Sequence, residues 1–214
     1  MSELGRFIVV EGLEGAGKST AVHTIQHFLA QNVGSFITTR EPGGTAVGEM
    51  IRQLIKHSPD DEPLDARAEL LLLYTSRLQL VNEVIQPALN TGTWVLGDRF
   101  ELSTFAYQGG GRGLDVRMIE QLSAFCLQGF TPDLVLFLDV DPALGLRRAL
   151  GRGKADRIEK ESLDFFTSVC EAYHAKIKTM KQVVLIDANQ SEADVQQSIL
   201  AALSHYLNAN SKGS

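Results

Sequence analysis

The stretch Arg6 to Thr20, RFIVVEGLEGAGKST, constrains this chain more than any other. Phe7–Val10 is a short apolar run rich in aromatic and β-branched residues, the composition of a fully buried strand. It leads into Gly12-Leu13-Glu14-Gly15-Ala16-Gly17-Lys18-Ser19, which satisfies G-x-x-x-x-G-K-[ST] at every fixed position. Val22, Ile25, Phe28 and Leu29 then recur at helical spacing. Strand, glycine loop and helix in that order are the context this pattern needs. Without a Cβ at 12, 15 and 17 the loop can turn tightly and press its backbone N–H groups against phosphate oxygens. The helix opening near Lys18 adds the positive end of its dipole. Gly12 to Thr20 therefore predict a nucleoside triphosphate cradle, with Lys18 reaching the β- and γ-phosphates and Ser19 ligating Mg²⁺. The plainer alternative is a glycine turn before an ordinary helix.

With 214 residues, 44 % apolar content and no Pro/Gly/Ser-rich linker, the chain reads as one domain with a full core. No apolar run approaches a membrane span, and no basic segment precedes a signal-type core. The expectation is a cytoplasmic protein without a membrane partner. A net charge of −6 argues against a general nucleic-acid surface, so any basic cluster must be local. Cys126 and Cys170 form no CxxC pair and read as reduced, buried thiols. His23 and His27, four residues apart, read as a solvated helix face rather than a metal site. The polar tail 208–214 is expected to fray.

Four further apolar segments read as buried strands: Ser35–Thr39, Thr93–Leu96, Leu134–Leu138 and Val183–Ile186. Helical patterns separate them, including one long helix over Ala66–Leu89. That alternation predicts an α/β fold, a five-stranded parallel sheet covered by helices on both faces. Ligands bind such sheets at the carboxyl ends of the strands. After the second strand, Arg40 can point a cation into the crevice, Pro42-Gly43-Gly44 turns, and Thr45 can cap the next helix. After the third, Asp98 stands where a Mg²⁺-organising carboxylate belongs, and Arg99 offers a forked donor for a second phosphate group. Ser103, Thr104, Tyr107 and Gln108 follow, Gln108 able to read a base edge and Gly109 to Gly113 forming a flexible loop. Glu69, Leu73 and Arg77 share one helix face, and Arg77 among leucines either snorkels or meets a ligand. Arg147 to Arg157 holds five cations and one anion around two glycines, as a mobile cationic lid would. A solvated Arg40, a surface Asp98–Arg99 pair and a basic surface loop are the plain alternatives.

Taken together, EGLEGAGKST, TREPGGT, the Arg77-x-Gln79 pair, GDRF, LSTFAYQGGGRG and GRGKADRIEKES resemble bacterial thymidylate kinase, in order and over nearly the whole chain. The resemblance implies transfer of the ATP γ-phosphoryl to the 5′-phosphate of dTMP. It implies a P-loop kinase domain over residues 1–214 with a lid at about 147–160 and a homodimer packed through helices that include the one carrying Arg77. It assigns Gly12, Leu13, Glu14, Gly15, Ala16, Gly17, Lys18, Ser19 and Thr20 to the ATP phosphates, with Glu14 also on the deoxyribose 3′-hydroxyl. Arg148 and the Ala188-Asn189-Gln190 turn become candidates for adenine contact. Lys18, Asp98 and Arg152 are the catalytic candidates, and Ser19 with Asp98 the Mg²⁺ ligands. Arg40 and Arg99 would meet the acceptor phosphate, Arg77 and Gln108 the thymine edge, and Ser103, Thr104 and Tyr107 would complete the acceptor pocket. Gly15 stands where eukaryotic relatives carry a P-loop arginine, which points to the lid as the source of the catalytic one. Leu73 replaces the usual thymine-stacking aromatic, displaced to Tyr74. The rival readings are a different nucleoside monophosphate or deoxynucleoside kinase, a GTP switch (no N-K-x-D reader is present), and a non-catalytic ATP-binding module.

Overall fold

A computed structural model describes residues 5–57, 62–151 and 156–210. In chain order the first elements are β1 (Phe7–Gly12), α1 (Lys18–Asn32), β2 (Phe36–Arg40), α2 (Ala46–Lys56) and α3 (Ala66–Leu80). A π-helical turn (Val81–Ile85), α4 (Gln86–Asn90), β3 (Trp94–Asp98), α5 (Glu101–Thr104) and a second π-helical segment (Phe105–Gly111) follow. Last come α6 (Val116–Leu127), β4 (Leu134–Asp139), α7 (Pro142–Leu150), α8 (Leu163–Ile177), β5 (Val183–Asp187) and α9 (Glu192–Asn210). All five strands are parallel, in the order β2-β3-β1-β4-β5. This is the expected five-stranded sheet, each strand shifted by at most two residues from its expected bounds.

The central strand shows why the sheet is covered on both sides. Side chains alternate along a strand, and here both sets are buried. Phe7 and Val9 enter one apolar cluster with Leu80, Val81 and Ile85 from the α3 side. Ile8 and Val10 enter a larger one with Ile25, Leu29, Phe166, Val169 and Leu203 from α1, α8 and α9. Burying one such side chain contributes about 1.5–3 kcal/mol, so β1 is pinned in register from two faces. Its neighbours diverge to β3 on one side and β4 on the other, and the crevice opens above their carboxyl ends.

Three expectations change. The helix over Ala66–Leu89 does continue to Asn90, but through a π turn at Val81–Ile85. Pro87 lies two residues beyond the turn, and in a regular helix its ring would meet the carbonyl of Glu83, four residues back. The glycines from 109 onward do not form a free loop: residues up to Gly111 are π-helical and pack on α8. A Cβ on Gly110 would lie 2.6 Å from the Ser168 carbonyl oxygen, and one on Gly111 would lie 2.5 Å from the Phe165 ring. These glycines serve close approach. The polar tail begins later than expected, because α9 runs to Asn210. Cys126 and Cys170 are free and only half-buried. The His23 and His27 rings stand edge to face on the exposed side of α1. Thr45 caps α2 as expected, accepting from Gly48 N. Among the described residues no helix is long and apolar enough to cross a membrane.

Candidate active site

The glycine loop leaves β1 at the centre of the sheet and enters α1, as the motif requires. Gly12, Gly15 and Gly17 all take positive φ (148°, 74° and 90°), which explains the residue type at each. Gly17 is the N-cap of α1 and makes no side-chain capping bond, which leaves the first-turn N–H groups available to an anion. The Lys18 ammonium donates to the carbonyls of Gly12 (3.0 Å) and Leu13 (2.6 Å). Burial, reinforced by nearby Arg99, pushes its pKa down to about 8, against the pull of Glu14, Asp98 and Glu11.

Directly beside the loop, β3 ends in Asp98, and Arg99 turns the chain with φ 68°. A non-glycine residue there costs roughly 1–2 kcal/mol, and a dense set of contacts holds it. Arg99 Nη2 donates to Glu14 Oε1 at 2.7 Å, and Nη1 to the Gly12 carbonyl at 3.0 Å and Ser103 Oγ at 3.1 Å. The Tyr107 hydroxyl donates to the other Glu14 oxygen. Burial alone would raise the Glu14 pKa, but Arg99 and then Lys18 outweigh it and hold the carboxyl below its usual range. Asp98 Oδ1 is buried and has no hydrogen-bond partner among the described residues.

Behind this layer sits Glu11, fully buried, which accepts from Phe100 N (2.8 Å), Ser103 Oγ (2.6 Å) and Tyr173 Oη (3.0 Å). Burial raises its pKa, with Arg99 as the main opposing charge. Glu11 thus fixes the turn that aims Arg99. It was missed in the sequence, although an acid ending an apolar strand was the signal.

The far end of the cleft is built around Arg77, only 1 % exposed. It neither snorkels to water nor lies free. Nε donates to Glu41 Oε2 (2.8 Å), Nη2 to Thr104 Oγ1 (2.9 Å), and the guanidinium rests over the rings of Tyr74 and Phe100. Nη1 and Glu41 Oε1 are both buried without a partner among the described residues. Burial pushes the Glu41 carboxyl up to about 7 despite the opposing pull of Arg77. Gln108 donates to Glu69 Oε1 at 2.7 Å, and Glu69 also receives Arg112 and Arg157. Glu69 shares the helix face of Leu73 and Arg77, as the spacing predicts, but its role as the hub of these contacts was not legible.

One cleft of about 280 Å³ joins Glu14, Lys18, Ser19, Leu73, Arg77, Asp98, Arg99, Ser103, Thr104, Tyr107 and Gln108. Arg40 is the exception. Its side chain is half exposed, forks onto Glu49 and does not line the cleft; Arg52 from α2 does. Leu73 lines the cleft while Tyr74 is packed away from it, its hydroxyl on Glu101 at 2.8 Å. A second cavity joins Gly15, Ala16, Gly17 and Thr20 of the loop to Arg148, Ala188 and Gln190, and Arg148 Nη1 donates to the Ala188 carbonyl at 2.9 Å. The two adenine-contact candidates, Arg148 and the turn at Ala188–Gln190, thus lie side by side on this cavity, while Asn189 turns its amide to Asp187. Of the lid, residues 147–150 end α7, Arg157 reaches Glu69 and the Ile55 carbonyl, and Asp156 pairs with Lys56 at 2.8 Å. Arg152 lies outside the described residues.

A glycine loop at the carboxyl edge of a parallel sheet, with a lysine and an arginine turned into one cleft, defines a P-loop nucleotide-binding protein. The family model described as thymidylate kinase matches residues 10–199. The chain is 54 % identical over 211 residues to the thymidylate kinase of Legionella pneumophila (strain Corby), covering 98 % of this chain and 100 % of that one. It is 51 % identical over 199 residues to the thymidylate kinase of Shewanella sp. (strain MR-4), covering 92 % and 95 %. A similar match, 49 % over 203 residues, joins it to the thymidylate kinase of Photobacterium profundum, covering 94 % and 97 %. The chain belongs to the thymidylate kinase family.

Proposed function

We infer that the protein transfers the γ-phosphoryl group of ATP to the 5′-phosphate of dTMP, giving dTDP for dTTP biosynthesis. The observation that carries this reading is the single cleft that runs from Lys18 past Arg99 to the buried Arg77–Gln108 end. Two anionic groups suit the first part, and the polar edge of a nucleobase suits the second. Gly12 to Thr20 hold the ATP phosphates, and Arg148 with the turn at Ala188 and Gln190 faces the adenine. Arg99 receives the acceptor phosphate, and Glu14 the sugar hydroxyl. Arg77 and Gln108 meet the base edge over Leu73, with Ser103, Thr104 and Tyr107 closing the pocket. Arg40, paired to Glu49, acts at most from outside this cleft, and Arg52 takes the place expected of it.

Transfer is direct and in line. An oxygen of the dTMP phosphate forms a bond to the γ-phosphorus while the bond to the β-bridging oxygen breaks, and ADP leaves with that electron pair. The acceptor is already an anion, so no general base is required. Catalysis is positioning plus stabilisation of charge spread over the equatorial oxygens. Lys18 supplies one positive charge, and Arg152 from the lid another. Asp98, with a buried oxygen that has no hydrogen-bond partner among the described residues, and the Ser19 hydroxyl on the same cleft fit a Mg²⁺ ion. Bound with the triphosphate, that ion would neutralise charge on the β- and γ-phosphates.

Residues 1–214 are read as one kinase domain with its lid at about 147–160. Exposed apolar side chains on α3 and α6, Leu71, Val116, Met118 and Phe125 (76 % exposed), support a homodimer through that face. Two free thiols suit the reducing cytoplasm.

The test is ADP release from Mg-ATP with dTMP, dUMP, dGMP, dCMP, UMP and AMP offered singly. Strong turnover with dTMP, weaker with dUMP and near zero with the others is expected. Preference for another acceptor would discard thymidylate, and ATP binding without turnover would leave a binding module.

A further inference from the structure

Away from the cleft, three side chains of metal-ligating type converge where β4 ends against α8. Asp139 is the last residue of β4, and Cys170 and His174 lie on α8. Their spacing of four residues points both side chains to one helix face. His174 Nε2 is 3.1 Å from Asp139 Oδ1, and the thiol, imidazole and carboxylate ligand atoms all lie within 4.8 Å of one another. At metal–ligand distances of about 2.0–2.3 Å, a tetrahedral ion separates its ligand atoms by roughly 3.3–3.8 Å. The cluster can therefore close around an ion with side-chain shifts of about 1 Å. All three groups are half-buried, sheltered yet reachable from solvent.

The donor set selects the ion. A thiolate and an imidazole suit zinc and its neighbours, whereas Mg²⁺ and Ca²⁺ take oxygen. We propose that Asp139, Cys170 and His174 form a Zn²⁺ site with water as the fourth ligand, separate from the phosphoryl-transfer cleft and independent of its assignment. An Asp–His hydrogen bond alone would account for two of the three groups; the thiol packs at the edge of the main apolar cluster and still stands within 4.8 Å of both partners' ligand atoms. Asp139, Asp141 and Glu171 surround the thiol with negative charge that attracts a divalent cation, and the bound cation would hold the thiol as its thiolate. The backbone links this site to the second cavity. Asp139 O accepts from Ala188 N at 2.8 Å, and Ala188 O holds Arg148 at 2.9 Å. An ion at Asp139 would thus anchor the wall that carries Arg148.

The experiment is a Co²⁺ titration of the tag-free full chain carrying His23→Ala. The His23 and His27 nitrogens, 3.2 Å apart and exposed, could otherwise bind the ion as a pair. The expected result is a thiolate-to-cobalt charge-transfer band that saturates at one ion per chain, with one proton released and displacement by Zn²⁺ but not by Mg²⁺. Cys170→Ser should abolish the band, Cys126→Ser should leave it intact, and His174→Gln should weaken binding at least about 100-fold. Absence of the band in the parent, its survival in Cys170→Ser or its loss in Cys126→Ser would overturn the site. Should Cys170→Ser not fold, unchanged affinity in His174→Gln would overturn it equally.

Discussion

Gly15 is where the glycine loop touches α7, and replacing it tests how tightly the cradle is held. A Cβ on residue 15 would lie 2.0 Å from the Gly145 carbonyl oxygen and 2.8 Å from its carbon. Both are backbone atoms, so no flexible side chain can swing aside. The φ of 74° adds a second penalty, about 1–2 kcal/mol for any residue with a Cβ. Overpacking of this kind costs a further 1–3 kcal/mol or so. Gly15→Ala should therefore lose about 2–5 kcal/mol, a fall in Tm of roughly 4–20 °C at about 2–4 °C per kcal/mol. Gly17→Ala is the control, because its φ is 90° but nothing lies within 4 Å of its Cβ. Only the backbone penalty applies there, about 2–8 °C by the same conversion. Circular dichroism melts of the two variants isolate the clash by difference. Relief of the clash must displace the loop or α7, and a misplacement of about 1 Å can cost on the order of 10²-fold in rate, so kcat of Gly15→Ala should fall by about that factor. A Gly15→Ala protein that melts no lower than Gly17→Ala would refute the contact. The same contact leaves no room for any larger side chain at position 15.

Three further outcomes are expected. The Glu41 carboxyl is raised from 4.5 to about 7 in the folded protein, so its stabilising contribution is full below pH 4.5 and lost as pH rises through 7; relative to Glu41→Gln, the wild type should lose on the order of 3 kcal/mol across that window. Urea melts at a series of pH values check this, and a flat difference would refute it. Leu73→Phe restores a stacking ring over the base and should lower KM for dTMP about 2- to 12-fold, from the roughly 0.5–1.5 kcal/mol of an aromatic pair, as read from steady-state kinetics. Arg152→Ala should lower kcat by about 10³-fold or more with little change in KM for dTMP; unchanged turnover would remove Arg152 from the mechanism.

Much of the site was legible because its chemistry is local in sequence. The loop from Gly12 to Ser19, the turn at Asp98–Arg99 and the cap at Thr45 each combine a conformation with a residue type that few alternatives satisfy. Arg77 was marked by being charged among leucines. The partner of Arg40 was not legible for the complementary reason: a cation at a strand end has several anions within reach, and here Glu49 nine residues on pairs with it. Glycines at 110 and 111 misled, since chain flexibility and close packing draw on the same missing Cβ, and only α8 lying against them decides between the two.

By itself the sequence determined the alternation of buried strands and helices, the phosphate cradle and the side chains able to meet anions. Periodicity and glycine geometry act over a few residues, so both are readable without a fold. The tertiary structure alone decided which polar group meets each buried carboxylate. Glu11 reaches Ser103 and Tyr173, Glu41 meets Arg77, and Glu69 gathers Gln108, Arg112 and Arg157 across separations of 36 to 162 residues. Coulomb and desolvation energies depend on distance and burial in space. Those separations exist only once the sheet has brought the carboxyl ends of its strands together.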